Sequence, residues 1–132
     1  MISHLTLGTN NLDASVKYYD QILGLLDAKQ VAKTSDVVFY KFPNSDTKLA
    51  IANPYNGDYA TYGNGTMVAL KVASEEAVRD VYQLAIRLNS KCEGPPGPRG
   101  NGAYFAAYFR DLDGNKLVVF HRNDDENPLR AY

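Results

Sequence analysis

The sequence has no tryptophan and a single cysteine among its 132 residues. One cysteine, Cys92, cannot form an internal disulfide bond, so we expect the protein to occupy a reducing, cytoplasmic compartment. We expect Cys92 to be a small, partly buried side chain rather than a catalytic thiol.

Long runs of basic residues and long runs of apolar residues are also missing. No run of lysine and arginine exceeds two residues and the net charge is -1, which argues against a nucleic-acid partner. No apolar stretch approaches the length of a membrane span, and the first residues lack the basic-then-apolar pattern of a secretory signal, so we expect no membrane partner. The balance of 45% hydrophobic and 22% charged residues is that of an ordinary globular domain.

What the sequence does contain is a repeat. Residues 4–23 align with residues 67–86, and each segment reads as a short alternating strand, a polar N-cap and an amphipathic helix. The caps are Asn11 in the first segment and Ser74 in the second, each with acidic residues in the following turn.

The later part of each half repeats as well. Residues 39–52 align with residues 107–120 at an offset of 68, and both read as a strand, a turn and a strand. Residues 26–32 and 91–94 supply one more strand each. The sequence therefore predicts an α+β fold of two β-α-β-β-β modules that form a curved, cup-like mixed sheet with the helices on its outer face.

The predicted modules fill one domain, residues 1–132. Module 1 covers about 1–56 and module 2 about 64–122, and residues 123–132 form a charged C-terminal tail.

Strand alternation predicts which side chains face away from the helices. The repeat marks four equivalent inward positions, at His4, Ala50, Met67 and Val118, and Phe120 shares the face of Val118. Because small alanines on this face leave room, we expect a ligand cavity there.

Two segments resemble the vicinal oxygen chelate superfamily, which includes glyoxalase I, bleomycin-resistance proteins and extradiol dioxygenases. The segment ISHLTLGTNNLDASVKYYDQILGL (2–25) is similar to the opening strand and helix of that family, and YFRDLDGNKLVVF (108–120) is similar to its D-P-D-G turn, with Leu112 in place of proline. The resemblance extends over essentially the whole chain. It implies the same two-module fold, which supports many functions.

In metal-dependent members of that family, the four inward positions bind a divalent ion. Only His4 matches a ligand, because Ala50, Met67 and Val118 stand where the family places Glu or His. A divalent site needs three or more protein ligands, so we predict no metal and no other cofactor, with a divalent ion at His4 as the alternative. His121 falls on the face opposite Val118, at the end of its strand.

The resemblance also implies that Tyr108 contacts a ligand, because it lies three residues before the first aspartate of the turn. Tyr104 shares its strand parity, and Tyr40 is its partner in the repeat. The glycine- and proline-rich segment 93–102 and the segment 53–65 could form rims, with Arg99 meeting an anionic group. The complete predicted pocket consists of His4, Tyr40, Ala50, Met67, Tyr104, Tyr108, Val118 and Phe120, with Arg99 at its rim.

Four functions remain open from the sequence. The first is binding of a small organic molecule in an aromatic pocket without metal. The second is a metal-dependent, glyoxalase-like lyase or isomerase, the third is a metal-free enzyme that uses His4 and a tyrosine, and the fourth is an interaction module with a filled pocket. Exposed sheet edges, and the common behaviour of family members of this length, lead us to expect a homodimer.

Overall fold

The computed structural model describes residues 1–122, and it divides into two compact units. Unit 1 comprises Met1–Asn64 together with the turn Leu112–Asn115, and the described part of unit 2 comprises Gly65–Asp111 and residues 116–122. Each unit contains one helix and one four-stranded mixed sheet, so the predicted α+β class and the β-α-β-β-β order are confirmed. The predicted tail, 123–132, lies outside the described residues.

Unit 1 contains five elements. These are β1 (His4–Gly8), α1 (Leu12–Gly24), β2 (Lys29–Lys33), β3 (Val37–Lys41) and β4 (Lys48–Ala52). The strand order is β1-β4-β3-β2, in which β1 is parallel to β4 and the other neighbours are antiparallel.

Helix α1 begins where the sequence predicts. The side chain of Asn11 accepts a hydrogen bond from the backbone N–H of Ala14 at 3.0 Å, which satisfies one of the free donors of the first turn. The helix buries one apolar face, formed by Val16, Tyr19, Ile22 and Leu23. This face packs against the sheet, so the opposite sheet face is free of the helix.

Unit 2 repeats the plan. Its elements are β5 (Val68–Lys71), α2 (Glu75–Arg87), β6 (Lys91–Arg99), β7 (Tyr104–Arg110) and β8 (Lys116–His121), with the strand order β5-β8-β7-β6. Ser74 caps α2 by accepting from the N–H of Ala77 at 3.0 Å. Neither helix in the described part of the chain is long and apolar enough to cross a membrane.

The glycine- and proline-rich segment is a strand rather than the loop expected from its composition. β6 runs from Lys91 to Arg99, and among residues 1–122 it pairs with β7 alone, so it is an edge strand of this sheet. Proline, which lacks an N–H, is tolerated at an edge, and the pairing is interrupted by irregularities between Cys92 and Gly94 and between Gly94 and Gly97.

The prediction that Tyr40 faces the pocket side is wrong. Tyr40 is 1% exposed beneath α1, and its hydroxyl donates to Asp20 Oδ1 at 2.8 Å. The error arises in the hairpin turn. Lys41 pairs with Lys48 across six residues (42–47), whereas the equivalent pair in unit 2 is joined by five (111–115).

The longer turn shifts the equivalence of β3 and β7 by one residue. Phe39, which pairs with Ala50, is therefore the counterpart of Tyr108, which pairs with Val118. Tyr40 corresponds to the fully buried Phe109. A shift of one residue moves a whole strand's side chains to the opposite face. A single repeat offset therefore cannot predict the inward faces of both strands of the hairpin.

Candidate functional site

The sheet of unit 2 carries an aromatic cluster on the face opposite α2. Alternation along β7 puts Tyr104, Ala106 and Tyr108 on this face, while Phe105, which Arg79 of α2 contacts, lies on the other. The register places Val118 beside Tyr108 and Phe120 beside Ala106. Four of the predicted pocket residues, Tyr104, Tyr108, Val118 and Phe120, therefore lie together, and we call this surface the aromatic face.

Two hydroxyl groups meet at the centre of the aromatic face. The Tyr104 and Tyr108 oxygens lie 3.1 Å apart, and the ring of Phe120 meets the ring of Tyr104 edge-on at 6.3 Å between centroids. Burial, and then the hydrogen bond between Tyr108 and Tyr104, raise the pKa of Tyr108 to about 12, although the positive charge of Arg99 lowers it in part. Tyr108 is therefore a neutral phenol near pH 7, able to donate or accept a hydrogen bond.

Cationic side chains surround these rings. The Arg99 guanidinium carbon lies 5.7 Å from the centroid of the Tyr108 ring, and Lys116 Nζ lies 5.4 Å from the same centroid. Arg122 lies 5.7 Å from the centroid of Phe120. Such distances allow cation–π attraction, and they bring positive charge to the rim of an apolar surface.

The composition of β6 explains how Arg99 is held. Its guanidinium donates to the carbonyl of Pro95 at 2.7 Å and to that of Pro98 at 3.3 Å. A Cβ added at Gly94 would lie 3.2 Å from the guanidinium, and one at Gly97 would lie 3.0 Å from it. The small residues of β6 thus make room for the side chain of Arg99. The sequence predicts Arg99 at a pocket rim, and the structure has it beside Tyr108.

His4 and Ala50 lie in unit 1, on the sheet face that α1 leaves free. His4 Nδ1 is 3.2 Å from Ser3 Oγ, and the imidazole ring meets Phe39 edge-on at 5.2 Å between centroids. Ala50 is fully buried between its strand neighbours Thr6 and Phe39. Phe39 is a residue of this face that the sequence interpretation missed, and counting the turn residues would have found it.

The residues at the family's metal positions do not fit a divalent ion. In the part of the chain that the structure describes, no three His, Cys, Asp or Glu side chains come together. The cross-strand neighbour of His4 is Lys48, whose ammonium group would oppose a cation. Ala50 and Val118 offer no donor atom, and Met67, 39% exposed, offers only a soft thioether.

His121 offers no substitute ligand on the aromatic face. It pairs with Phe105 and shares the parity of the buried Val119, so it lies on the opposite face from Val118. Its Nδ1 lies 3.1 Å from the carbonyl oxygen of Val72.

Unit 1 also contains an open cavity of about 860 Å³ at the end of its sheet. Its lining includes Thr9, Val37, Ala52 and the first part of the segment 53–65, which the sequence suggested as a rim. The Asn10 side chain fastens this segment, because it accepts from Ala60 N–H at 2.7 Å and donates to Ala60 O at 3.1 Å.

The fold and these residues agree with a known family. The model of the Glyoxalase/Bleomycin resistance protein/Dioxygenase superfamily matches residues 1–119, so the chain belongs to that superfamily. This confirms the resemblance recognised in the two motif segments.

Individual relatives differ in how much they share with the chain. A glyoxalase/bleomycin resistance protein from Albidiferax ferrireducens T118 is 36% identical with a TM-score of 0.83, over 92% of this chain and 98% of that one. A glyoxalase-related enzyme from Fulvimarina pelagi is 20% identical with a TM-score of 0.77, over 92% and 88%, a likeness of fold alone.

A lactoylglutathione lyase of Oryza sativa subsp. japonica is 27% identical over 138 residues. The match covers 96% of this chain and 45% of the rice protein. The chain therefore spans less than half the length of this curated relative.

Proposed function

We propose that the protein binds a small, planar organic molecule carrying an anionic group on its aromatic face, and that it does so without a metal. The observation that carries the proposal is the hydrogen-bonded pair Tyr104–Tyr108 flanked by Arg99 and Lys116. Aromatic rings provide a stacking surface, the neutral phenol provides a directional hydrogen bond, and the guanidinium favours a carboxylate or phosphate.

The second candidate is a metal-dependent lyase or isomerase of the glyoxalase type. The similarity to the rice lactoylglutathione lyase favours this candidate. The side chains at the family's metal positions argue against it, because they do not fit a divalent ion. A metal-free enzyme with His4 and a tyrosine as proton carriers is a third candidate. The pKa of Tyr108, about 12, makes this residue a poor base at neutral pH and better suited to donating a hydrogen bond.

Two further expectations belong to the same proposal. We propose a homodimer, because β2 is an edge strand whose five residues are all exposed, and an unprotected edge favours pairing. Cys92 is exposed, so the expectation that it is partly buried is wrong. We propose a reducing, cytoplasmic compartment, because this one cysteine is free. Sedimentation analysis of the purified chain tests the first.

Three probes of one shape test the ligand proposal. Benzoate, benzamide and benzamidine carry a negative, a neutral and a positive planar group on the same ring, and their binding can be followed by NMR on the full chain. We expect benzoate to bind best and to shift the signals of β7 and β8. Arg99→Gln should weaken benzoate about tenfold, the effect of losing one charge-assisted hydrogen bond.

The chain offers matched controls for these variants. Arg79 lies over the ring of Phe105 at 4.7 Å, on the face that packs against α2, so Arg79→Gln removes an arginine–aromatic contact away from the aromatic face. Arg79→Gln should leave benzoate binding unchanged, and Tyr108→Phe should weaken it. Equal binding of the three probes, or equal losses in the two arginine variants, would refute the proposal.

Metal content separates the first two candidates. Protein purified without an affinity tag should contain far less than one metal per chain by elemental analysis, and added nickel, zinc or manganese should not raise its melting temperature. Stoichiometric metal that His4→Ala abolishes would establish the metal-dependent alternative instead.

A further inference from the structure

The free face of the unit 1 sheet carries a row of basic side chains that crosses all four strands. The register pairs Lys29 with Lys41, Lys41 with Lys48, and Lys48 with His4. Residues opposite one another in a sheet point to the same face, so these four side chains lie side by side. They lie at the end of the sheet where β1 begins. We call them the basic row.

Like charges on neighbouring strands repel one another, and an acid beside them would reduce this repulsion. Among residues 1–122, none of the three lysines forms an ion pair with an aspartate or glutamate. Lys41 and Lys48 are only half-exposed, which indicates that their aliphatic stems lie along the sheet. The basic row is therefore a concentrated and uncompensated positive surface.

Unit 2 contains the equivalent row, and there the charge is compensated. Lys91 pairs with Arg110 and Arg110 with Lys116, in the same strand order. Glu93 lies 3.4 Å from Arg110 Nε and 3.8 Å from Lys91 Nζ. One acid therefore serves two of the three cations.

The position of Glu93 identifies what unit 1 lacks. Glu93 stands at an irregularity in the pairing of β6, between Cys92 and Gly94, and β2 has the same irregularity between Gln30 and Ala32. The residue at that position in β2 is Val31, which is 50% exposed. The lysine and arginine positions of the two rows thus match in register, and the residue at the irregularity is an acid in unit 2 and an exposed valine in unit 1.

We infer that the basic row of Lys29, Lys41, Lys48 and His4 is a binding site for a small anion that carries two or more negative charges. The row spans three inter-strand spacings, roughly 14 Å, which suits a small polyanion better than an extended polymer. Several cations acting together on one ligand favour multiple charge, since a single charge would meet only one or two of them. This inference does not depend on the aromatic face in unit 2.

Inorganic pyrophosphate is the probe, titrated into the full-length protein at constant ionic strength and followed by two-dimensional NMR. We expect saturable shifts at the amides of Lys41, Lys48 and their neighbours. Lys41→Gln and Lys48→Gln should each weaken pyrophosphate about tenfold, as for the loss of one charge-assisted contact. Lys33→Gln is the matched control, because Lys33 is exposed on β2 but pairs with the buried Val38 on the opposite face.

A gain of charge provides a second and independent test. Val31→Glu copies Glu93 into unit 1 and should abolish pyrophosphate binding while leaving the melting temperature unchanged or higher. If this variant does not fold, the double variant Lys41→Gln/Lys48→Gln decides the question instead. Citrate in parallel titrations shows whether the row accepts carboxylates as well as phosphates, and either preference supports a polyanion site.

Several outcomes would overturn the inference. These are shifts that do not saturate, an equal loss in Lys33→Gln and Lys41→Gln, or full binding in a folded Val31→Glu variant. A single-stranded oligonucleotide that binds this row more tightly than pyrophosphate at the same ionic strength would overturn the assignment to a small anion.

Discussion

Replacing Gly114 by alanine should destabilise unit 1 more than an ordinary glycine substitution in a turn. Gly114 belongs to the turn Leu112–Asn115 and has a φ of 89°, which side chains other than hydrogen resist. A Cβ built at this position would lie 2.5 Å from Cδ1 and 2.6 Å from Cε1 of Tyr62. The substitution therefore strains the backbone and also displaces a ring.

The magnitude follows from these two effects. Left-handed backbone costs a residue with a Cβ roughly 1–2 kcal/mol. Tyr62 is 55% exposed, so about 90 Å² of its surface is buried against the protein. Exposing all of this area to water would cost at most about 2 kcal/mol. We expect Gly114→Ala to lower the free energy of unfolding by more than the strain alone and by at most about 4 kcal/mol.

Gly57 provides the matched control. It has a φ of 76°, and an added Cβ would meet nothing within 4 Å, so Gly57→Ala measures backbone strain alone, about 1–2 kcal/mol. Urea unfolding of both variants, of Tyr62→Ala and of Tyr62→Ala/Gly114→Ala completes a double-mutant cycle. If Gly114→Ala costs no more than Gly57→Ala and the cycle is additive, the ring moves aside freely and our reasoning fails.

Three other predictions concern single residues. Tyr40→Phe should lower the free energy of unfolding in urea by about 1–3 kcal/mol, because it removes the buried hydroxyl that donates to the Asp20 carboxylate. It should leave benzoate binding unchanged. A loss of binding without a loss of stability would instead place Tyr40 in a ligand site. Asn11→Ala should cost about 1 kcal/mol and Asn11→Ser should restore most of it, as measured by thermal unfolding; equal losses would mean that the cap does not act through its side-chain acceptor. Burial raises the pKa of Tyr108 from 10.0 to about 12, so its contribution to stability is complete below pH 10 and is lost as the pH rises toward 12. The free energy of unfolding should therefore fall over this interval, and less steeply in Tyr108→Phe; an identical slope in the variant would show that Tyr108 titrates alike in both states.

Local patterns determined much of this protein. The two helices and their caps, Asn11 and Ser74, depend on residues within one turn of each other, so the chain itself indicates them. The faces of His4 and Val118 follow from alternation within one strand, and the register agrees with them. The family was also recognisable, because its motifs are short and contiguous segments.

The tertiary structure decided the features that depend on pairing between distant segments. Whether Phe39 or Tyr40 faces the helix depends on a single extra residue in a turn, because one residue of register inverts a strand. The place of Arg99 beside Tyr108 depends on how β6 pairs with β7 across its irregularities. No periodicity in the sequence encodes either fact.

The basic row shows the same division most clearly. Lys29, Lys41 and Lys48 are separated by many residues, and in the sequence they are unremarkable single lysines. Cross-strand hydrogen bonds bring them into one line, and an irregularity in β2 places Val31 where unit 2 has Glu93. Composition and alternation determined which residues could face the free side of each sheet. The register between strands determined which of these residues became neighbours, because only pairing fixes distances between residues remote in the chain.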